Sequence, residues 1–208
     1  MAIFDYRLVT VASRRWPGAA DAIMTTGRAN VEAAGGQFYG LWTGIIGFAR
    51  DEGVLMTIWP DEDSARAHGA VGVEVPNVQS SFGHVLHSTV RPVSNAPPSG
   101  PGVYAHRWFD IAASDWPEFL ALSDRAWPHM EAAYDVNIIG FWRSAEVREP
   151  QAKVLLMTRY ADLSVWEASR WWGSPKPEAE GASTRFETRG ELTRSTVVNV
   201  AKLVTYES

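Results

Sequence analysis

The 208-residue chain contains no cysteine. That excludes disulfides, thiolate metal sites and a cysteine nucleophile together. It leaves the redox compartment open, because a cysteine-free chain folds in either. Long apolar runs are missing too: none approaches the roughly 20 residues that span a bilayer. The opening stretch, MAIFDYRLVT, carries Asp5 and Arg7 where a secretion signal needs uncharged apolar residues. Basic residues are scattered and the net charge is −5, so no phosphate-backbone footprint exists. A cytoplasmic protein without membrane or nucleic-acid partners is expected. Signature motifs are equally scarce. Gly36, Gly40 and Gly44 lack the Gly-Lys-Ser/Thr ending of a phosphate loop, and no Gly-x-Ser-x-Gly occurs. His84 and His87 are three apart, so on a strand they point to opposite faces and cannot share a metal. No dedicated metal site is expected.

What is present is ordinary in bulk and unusual in detail. Hydrophobic residues make up 46% and charged residues 21%, as in a globular protein able to bury a core without staples. Ten residues are Trp, large side chains suited to a core or to the walls around a flat ligand.

One phrase occurs twice. Residues 37–43 read QFYGLWT and residues 137–143 read NIIGFWR, which pairs Gly40 with Gly140 and Trp42 with Trp142. At the same shift Arg7 meets Arg107, Ala12 meets Ala112, Trp16-Pro17 meets Trp116-Pro117, and Ala33 meets Ala133. One more residue of shift aligns Leu55-Met56-Thr57 with Leu156-Met157-Thr158. Residues 92–101, PVSNAPPSGP, have no helical or strand period and read as a linker between 1–91 and 102–208. Internal duplication explains the pattern.

Each unit reads as β-α-β-β-α-β, the ferredoxin-like arrangement. In the first unit the strands fall at 3–11, 37–48, 54–59 and 83–91. A helix at 17–34 ends on Gly35-Gly36, and a shorter one begins near Asp61. In the second unit the strands fall at 103–110, 136–146, 152–160 and 195–206. Its helices run over 115–134 and from Asp162 to Trp172. An insertion at 173–191 has no counterpart of equal length in the first unit; it holds a short helix at 178–191 and suggests a lid. A four-stranded sheet with helices on one face leaves the other bare, and two bare faces can cover each other. The expected fold is therefore α+β: two ferredoxin-like units packed sheet to sheet, helices outside, as a monomeric pseudo-dimer or homodimer.

Residues 138–170, IIGFWRSAEVREPQAKVLLMTRYADLSVWEASR, resemble the dimeric α/β-barrel superfamily, and within it the NIPSNAP branch. The resemblance rests on a Gly-x-Trp strand, an acidic turn, an apolar strand and an aspartate-led helix. It covers 115–170 well and 15–66 more weakly. It implies that the two units form an intramolecular dimeric α/β barrel with a ligand-sized cavity between the packed sheets. The superfamily includes cofactor-free monooxygenases, lactone isomerases, polyketide cyclases and haem enzymes of the chlorite dismutase type. A shared fold does not transfer a reaction.

The candidate site residues follow from this frame. Tyr104, His106 and Trp108 share one strand face, which would supply stacking surfaces and a titratable group if it lines the cavity. If it faces the helices, it is packing. His129 borders the buried face of the helix 115–134, as a base, a haem ligand or a carbonyl cap beside Pro128. Arg7 and Arg107 stand at equivalent positions on the opposite strand face. Either would bind a carboxylate bidentately, or bridge to acidic neighbours. Arg143 and Arg159 are similar candidates, and Trp42 and Trp142 would enclose a ring system. The reading is a small-molecule enzyme with His106 or His129 moving a proton, on an aromatic, polyketide-like or lactone-like compound. The alternatives are a structural or interaction module whose Trp residues simply make core, and a haem protein with one of those histidines as axial ligand. No cofactor is expected, with haem as the possible exception.

Overall fold

The computed structural model describes residues 2–147, 149–170 and 180–205. Alternating apolar residues form eight strands: β1 (Ile3–Val11), β2 (Gln37–Ile46), β3 (Glu52–Trp59), β4 (Val78–Ser88), β5 (Val103–Ala112), β6 (Val136–Ser144), β7 (Gln151–Tyr160) and β8 (Thr193–Leu203). All neighbouring pairs are antiparallel and the sheet closes on itself in the order β1-β3-β2-β8-β5-β7-β6-β4. The first four strands thus lie in the order β4-β1-β3-β2, and the last four repeat it as β8-β5-β7-β6.

The two four-stranded sheets expected to pack face to face are joined at their edges into one closed eight-stranded barrel. The joins are β4–β6, with His87 opposite Arg143, and β2–β8, with Gly44 opposite Ala201. Each four-stranded sheet would end in strands with unpaired N–H and C=O groups. Pairing edge to edge satisfies those groups, which face-to-face stacking alone would leave open.

The helices lie outside the barrel: α1 (Trp16–Ala22), α2 (Arg28–Ala33), α3 (Glu62–His68), α4 (Trp116–Ala133), α5 (Leu163–Ala168) and α6 (Glu180–Glu191). The helix expected over 17–34 is broken by a π-helical turn at Ile23–Gly27. There the chain approaches the loop at Gly72 so closely that a Cβ on Gly27 would fall 2.1 Å from the Gly72 carbonyl oxygen. Asp61 and Asp162 accept amide hydrogen bonds at the starts of α3 and α5. β4 begins five residues earlier than expected, and α6 occupies the insertion as anticipated. Trp171, Trp172 and the first part of the insertion lie outside the described residues. No helix among the described residues is long and apolar enough to cross a membrane.

The repeated Gly-x-Trp phrase has a packing cause. At both occurrences the register slips at the glycine, between Phe38 and Gly40 against β3 and between Ile138 and Gly140 against β7. That bulge turns the Trp two residues on into the barrel, where its six-membered ring lies against the glycine. A Cβ on Gly40 would meet Trp42 Cη2 at 2.6 Å, and one on Gly140 would meet Trp142 Cη2 at 2.0 Å. Both Trp side chains have no solvent exposure.

Candidate functional site

The barrel interior is filled by its own side chains. Phe4, Tyr6, Tyr39, Trp42, Met56, Leu86, Tyr104, Trp142, Leu155 and Met157 form one continuous buried cluster there. Tyr104, His106 and Trp108 do point inward. The cavity expected for them is occupied by rings: His106 lies 5.4 Å from Trp42 and 5.6 Å from Tyr6, centroid to centroid. Tyr104 donates its hydroxyl hydrogen to the Gly100 carbonyl at 2.6 Å. Trp108, nearer one end, packs between Tyr6 and His84.

His106 is fully buried, and burial pushes its pKa down to about 3. Its Nδ1 lies 3.1 Å from the Tyr6 hydroxyl. Burial raises the Tyr6 phenol well above its usual range, so Tyr6 stays protonated and donates to Nδ1. The imidazole is then neutral with its remaining proton on Nε2, which has no hydrogen-bond partner. Sealed in this way, His106 has no path to a substrate proton. His129 lies on the exposed face of α4, outside the stripe in which the helical spacing placed it.

The arginines divide sharply. Arg7, on the outer face of β1, is held by Asp5 (Nε–Oδ2 2.9 Å, Nη2–Oδ1 3.1 Å) and by the Gly69 carbonyl at 2.9 Å. Arg143 lies over the Trp116 ring, and Arg159 is engaged by Asp135 and the Pro101 carbonyl. All three are engaged by groups of the chain itself, and none lines the pocket described next. Arg107 is different: it lines a pocket of about 430 Å³ on the outer face of β5, β7 and β8.

That pocket is walled by Phe109, Trp127, Met130, Leu156 and Phe186, and edged by the hydroxyl-bearing residues Thr158, Tyr160, Ser195 and Thr196. α4 and α6 cover it, and Arg107, Arg170, Arg189 and Arg194 line it. No aspartate or glutamate lines it among the described residues. Arg189, from the last turn of α6, is only 9% exposed; its Nη1 donates to Ser123 Oγ at 3.2 Å. Burial, and next the charge of Arg107, push its pKa down to about 9, so it remains a cation at neutral pH. Arg170 lies 4.1 Å from the Trp166 ring centroid and donates Nε–H to the Trp166 carbonyl.

Sequence reasoning named Arg107, set Phe109 on its strand face and grouped Arg170 with Trp166, but missed Arg189 and Phe186. A signal for Arg107 existed. Position 5 is Asp and position 105 is Ala, so the second arginine lacks the carboxylate that neutralises the first. Arg189 gave no such signal, because it reaches the pocket only through the docking of α6 on α4.

Haem, which the family resemblance allows, would need an axial histidine at the pocket. All five histidines are described, and none lines the pocket. His106 Nε2 is enclosed by rings inside the barrel, and His129 faces solvent. A haem held by histidine does not fit here.

No protein-family model matches the chain, and no curated protein matches it. Solved structures do. An anthrone oxidase-like protein superimposes with a TM-score of 0.62 at 12% identity, covering 98% of this chain and 92% of its own. A candidate monooxygenase from Lactobacillus acidophilus NCFM gives 0.59 at 13% identity, covering 98% and 93%. A chlorite dismutase variant from Candidatus Nitrospira defluvii gives 0.58 at 8% identity, covering 98% and 91%. Identities this low speak to architecture alone, and the architecture they share with this chain is that of the dimeric α/β barrel.

Proposed function

We propose that this protein is a small-molecule enzyme that works in the outer pocket of its second half, on an aromatic or polyketide-like compound. The observation that carries this reading is the contrast between a barrel packed solid with rings and a 430 Å³ pocket outside it. That volume is in the range of ligand sites, and its walls are apolar with a few convergent polar groups. The proton-moving histidines expected from sequence are not part of this reading. The groups available are guanidiniums and hydroxyls, which orient a substrate and stabilise an anion rather than remove a proton. Cofactor-free oxygenation suits such a site, since an electron-rich substrate anion supplies the electrons. One neighbour of this fold is named as a monooxygenase and another as anthrone oxidase-like.

Anthrone is the probe of choice. Its oxidation by one O₂ yields anthraquinone and one water, and O₂ uptake is read against the uncatalysed blank. Gly190→Trp is the control, because Gly190 lines the pocket and a Cβ there meets no atom within 4 Å. The wild type is expected to bind anthrone, with partial quenching of its tryptophan fluorescence, and to consume O₂ above the blank; Gly190→Trp is expected to do neither. Binding and turnover unaffected by Gly190→Trp would move the site elsewhere.

The filled barrel favours a second reading, a non-catalytic interaction module. Anthrone binding without turnover selects it. The two-unit organisation, 1–91 and 102–208, and its origin by duplication rest on the matches at a shift of 100 and on the identical strand order of the halves. The NIPSNAP-like reading rests on the 138–170 pattern alone and gains nothing from the structural neighbours.

A further inference from the structure

The two halves treat one arginine differently. On β1, Asp5 and Arg7 sit two residues apart on the outer face and pair bidentately, with Asp5 only 1% exposed. On β5 the equivalent positions hold Ala105 and Arg107. The guanidinium is kept and its carboxylate is gone. The contact Arg107 retains there is Thr196 Oγ1 at 3.5 Å.

Arg189 adds a second cation at the same spot. Arg107 and Arg189 lie over the same ring, Phe109, at 6.0 and 5.0 Å from its centroid. Phe119 and Phe186 also flank Arg189, at 5.5 and 4.5 Å. Neither arginine is in an ion pair among the described residues. Rings and one hydroxyl leave a buried guanidinium far short of the solvation it loses, and two adjacent cations repel. An anion from outside the chain would relieve both costs.

Building on the pocket reading above, we propose that the ligand is an aromatic carboxylic acid whose carboxylate seats between Arg107 and Arg189. It takes for Arg107 the place Asp5 takes for Arg7. Its ring system lies against Phe109, Phe186 and Trp127, and Thr158 and Tyr160 offer hydroxyls along the path. Fork-shaped guanidiniums hold a carboxylate with defined orientation, so the acid group fixes which edge of the ring meets the rest of the pocket.

The test uses the full chain and two probes of one shape, 2-naphthoate and its uncharged amide, titrated by calorimetry. The wild type is expected to bind the carboxylate about ten- to a hundredfold more tightly than the amide, the range for hydrogen bonds to a charged group. Arg189→Met is expected to fold at least as stably, since it removes an uncompensated cation, and to lose that preference while still binding the amide. Ala105→Asp restores the internal pair and is expected to do the same. Equal affinity of the wild type for both probes, with Gly190→Trp blocking both, would overturn the carboxylate and leave the pocket standing. Unchanged preference in Arg189→Met and Ala105→Asp would likewise overturn it. If neither probe binds the wild type, the pocket reading falls as well.

Discussion

Trp142→Ala is expected to lower the unfolding free energy by about 3–5 kcal/mol, the usual cost of truncating a buried Trp. The indole has no solvent exposure and touches Phe4 and Tyr39 across the barrel, with centroids 5.4 and 6.4 Å away. Closure on all sides leaves little room for neighbours to collapse into the space. The matching glycine is expected to be nearly as sensitive. A methyl group at Gly140 would stand 2.0 Å from Trp142 Cη2, so Gly140→Ala forces the indole or the bulged strand to move. Overpacking of this kind costs about 1–3 kcal/mol. Gly40→Ala should cost less, because its contact with Trp42 is 2.6 Å. In the double variant Gly140→Ala/Trp142→Ala the methyl has nothing to strike, so the penalties are expected to fall short of their sum. Urea denaturation of the four proteins measures this. Additive penalties would show that glycine and indole are independent, and the explanation offered for the repeated phrase would fail.

The second large effect is acid sensitivity located at His106. Its pKa is about 3 in the folded chain and about 6.5 when unfolded, so burial depresses it. As pH falls below about 6.5 the unfolded chain takes up a proton that the folded chain refuses. Stability therefore drops until the pH reaches about 3, and between pH 7 and 4 the loss is roughly 3 kcal/mol. Asp5 works the other way. Burial outweighs the pull of Arg7 and raises its pKa to about 6, so the folded chain binds the extra proton as pH falls and gains stability. The two trends offset one another in the wild type. The informative quantity is the difference between the wild type and Tyr6→Phe/His106→Phe, in which neither the imidazole nor an orphaned phenol remains. That difference is expected to fall by roughly 3 kcal/mol between pH 7 and 4. Parallel stability curves would show that His106 is not the sealed neutral group described here.

Much of the fold was legible along the chain because β-structure writes its period into the sequence. The alternation in IFDYRLVTV and VYAHRWFDIA marked β1 and β5 and correctly separated Tyr104, His106 and Trp108 from Arg107. The bulge at Gly40 was not legible, since nothing in Gly-x-Trp by itself says that the indole folds back over the glycine. Nor were the two joins that close the barrel, which the family resemblance implied without naming the strands. Strand edges carry no residue code for their partner, and β4–β6 and β2–β8 form only once both sheets are present and curved. His129 was misplaced for a related reason: helical spacing gives a stripe, but its width is set by what α4 packs against.

The sequence by itself determined the elements, their twofold order and the chemical types available: no thiol, five histidines, ten tryptophans and an arginine kept at positions 7 and 107. Tertiary structure decided which of these face water, rings or one another. It enclosed the histidine that looked catalytic and brought Arg189 from a distant helix to Arg107. The physical reason is that side-chain direction along a strand is local, whereas solvation and charge compensation depend on neighbours that arrive from elsewhere in the chain.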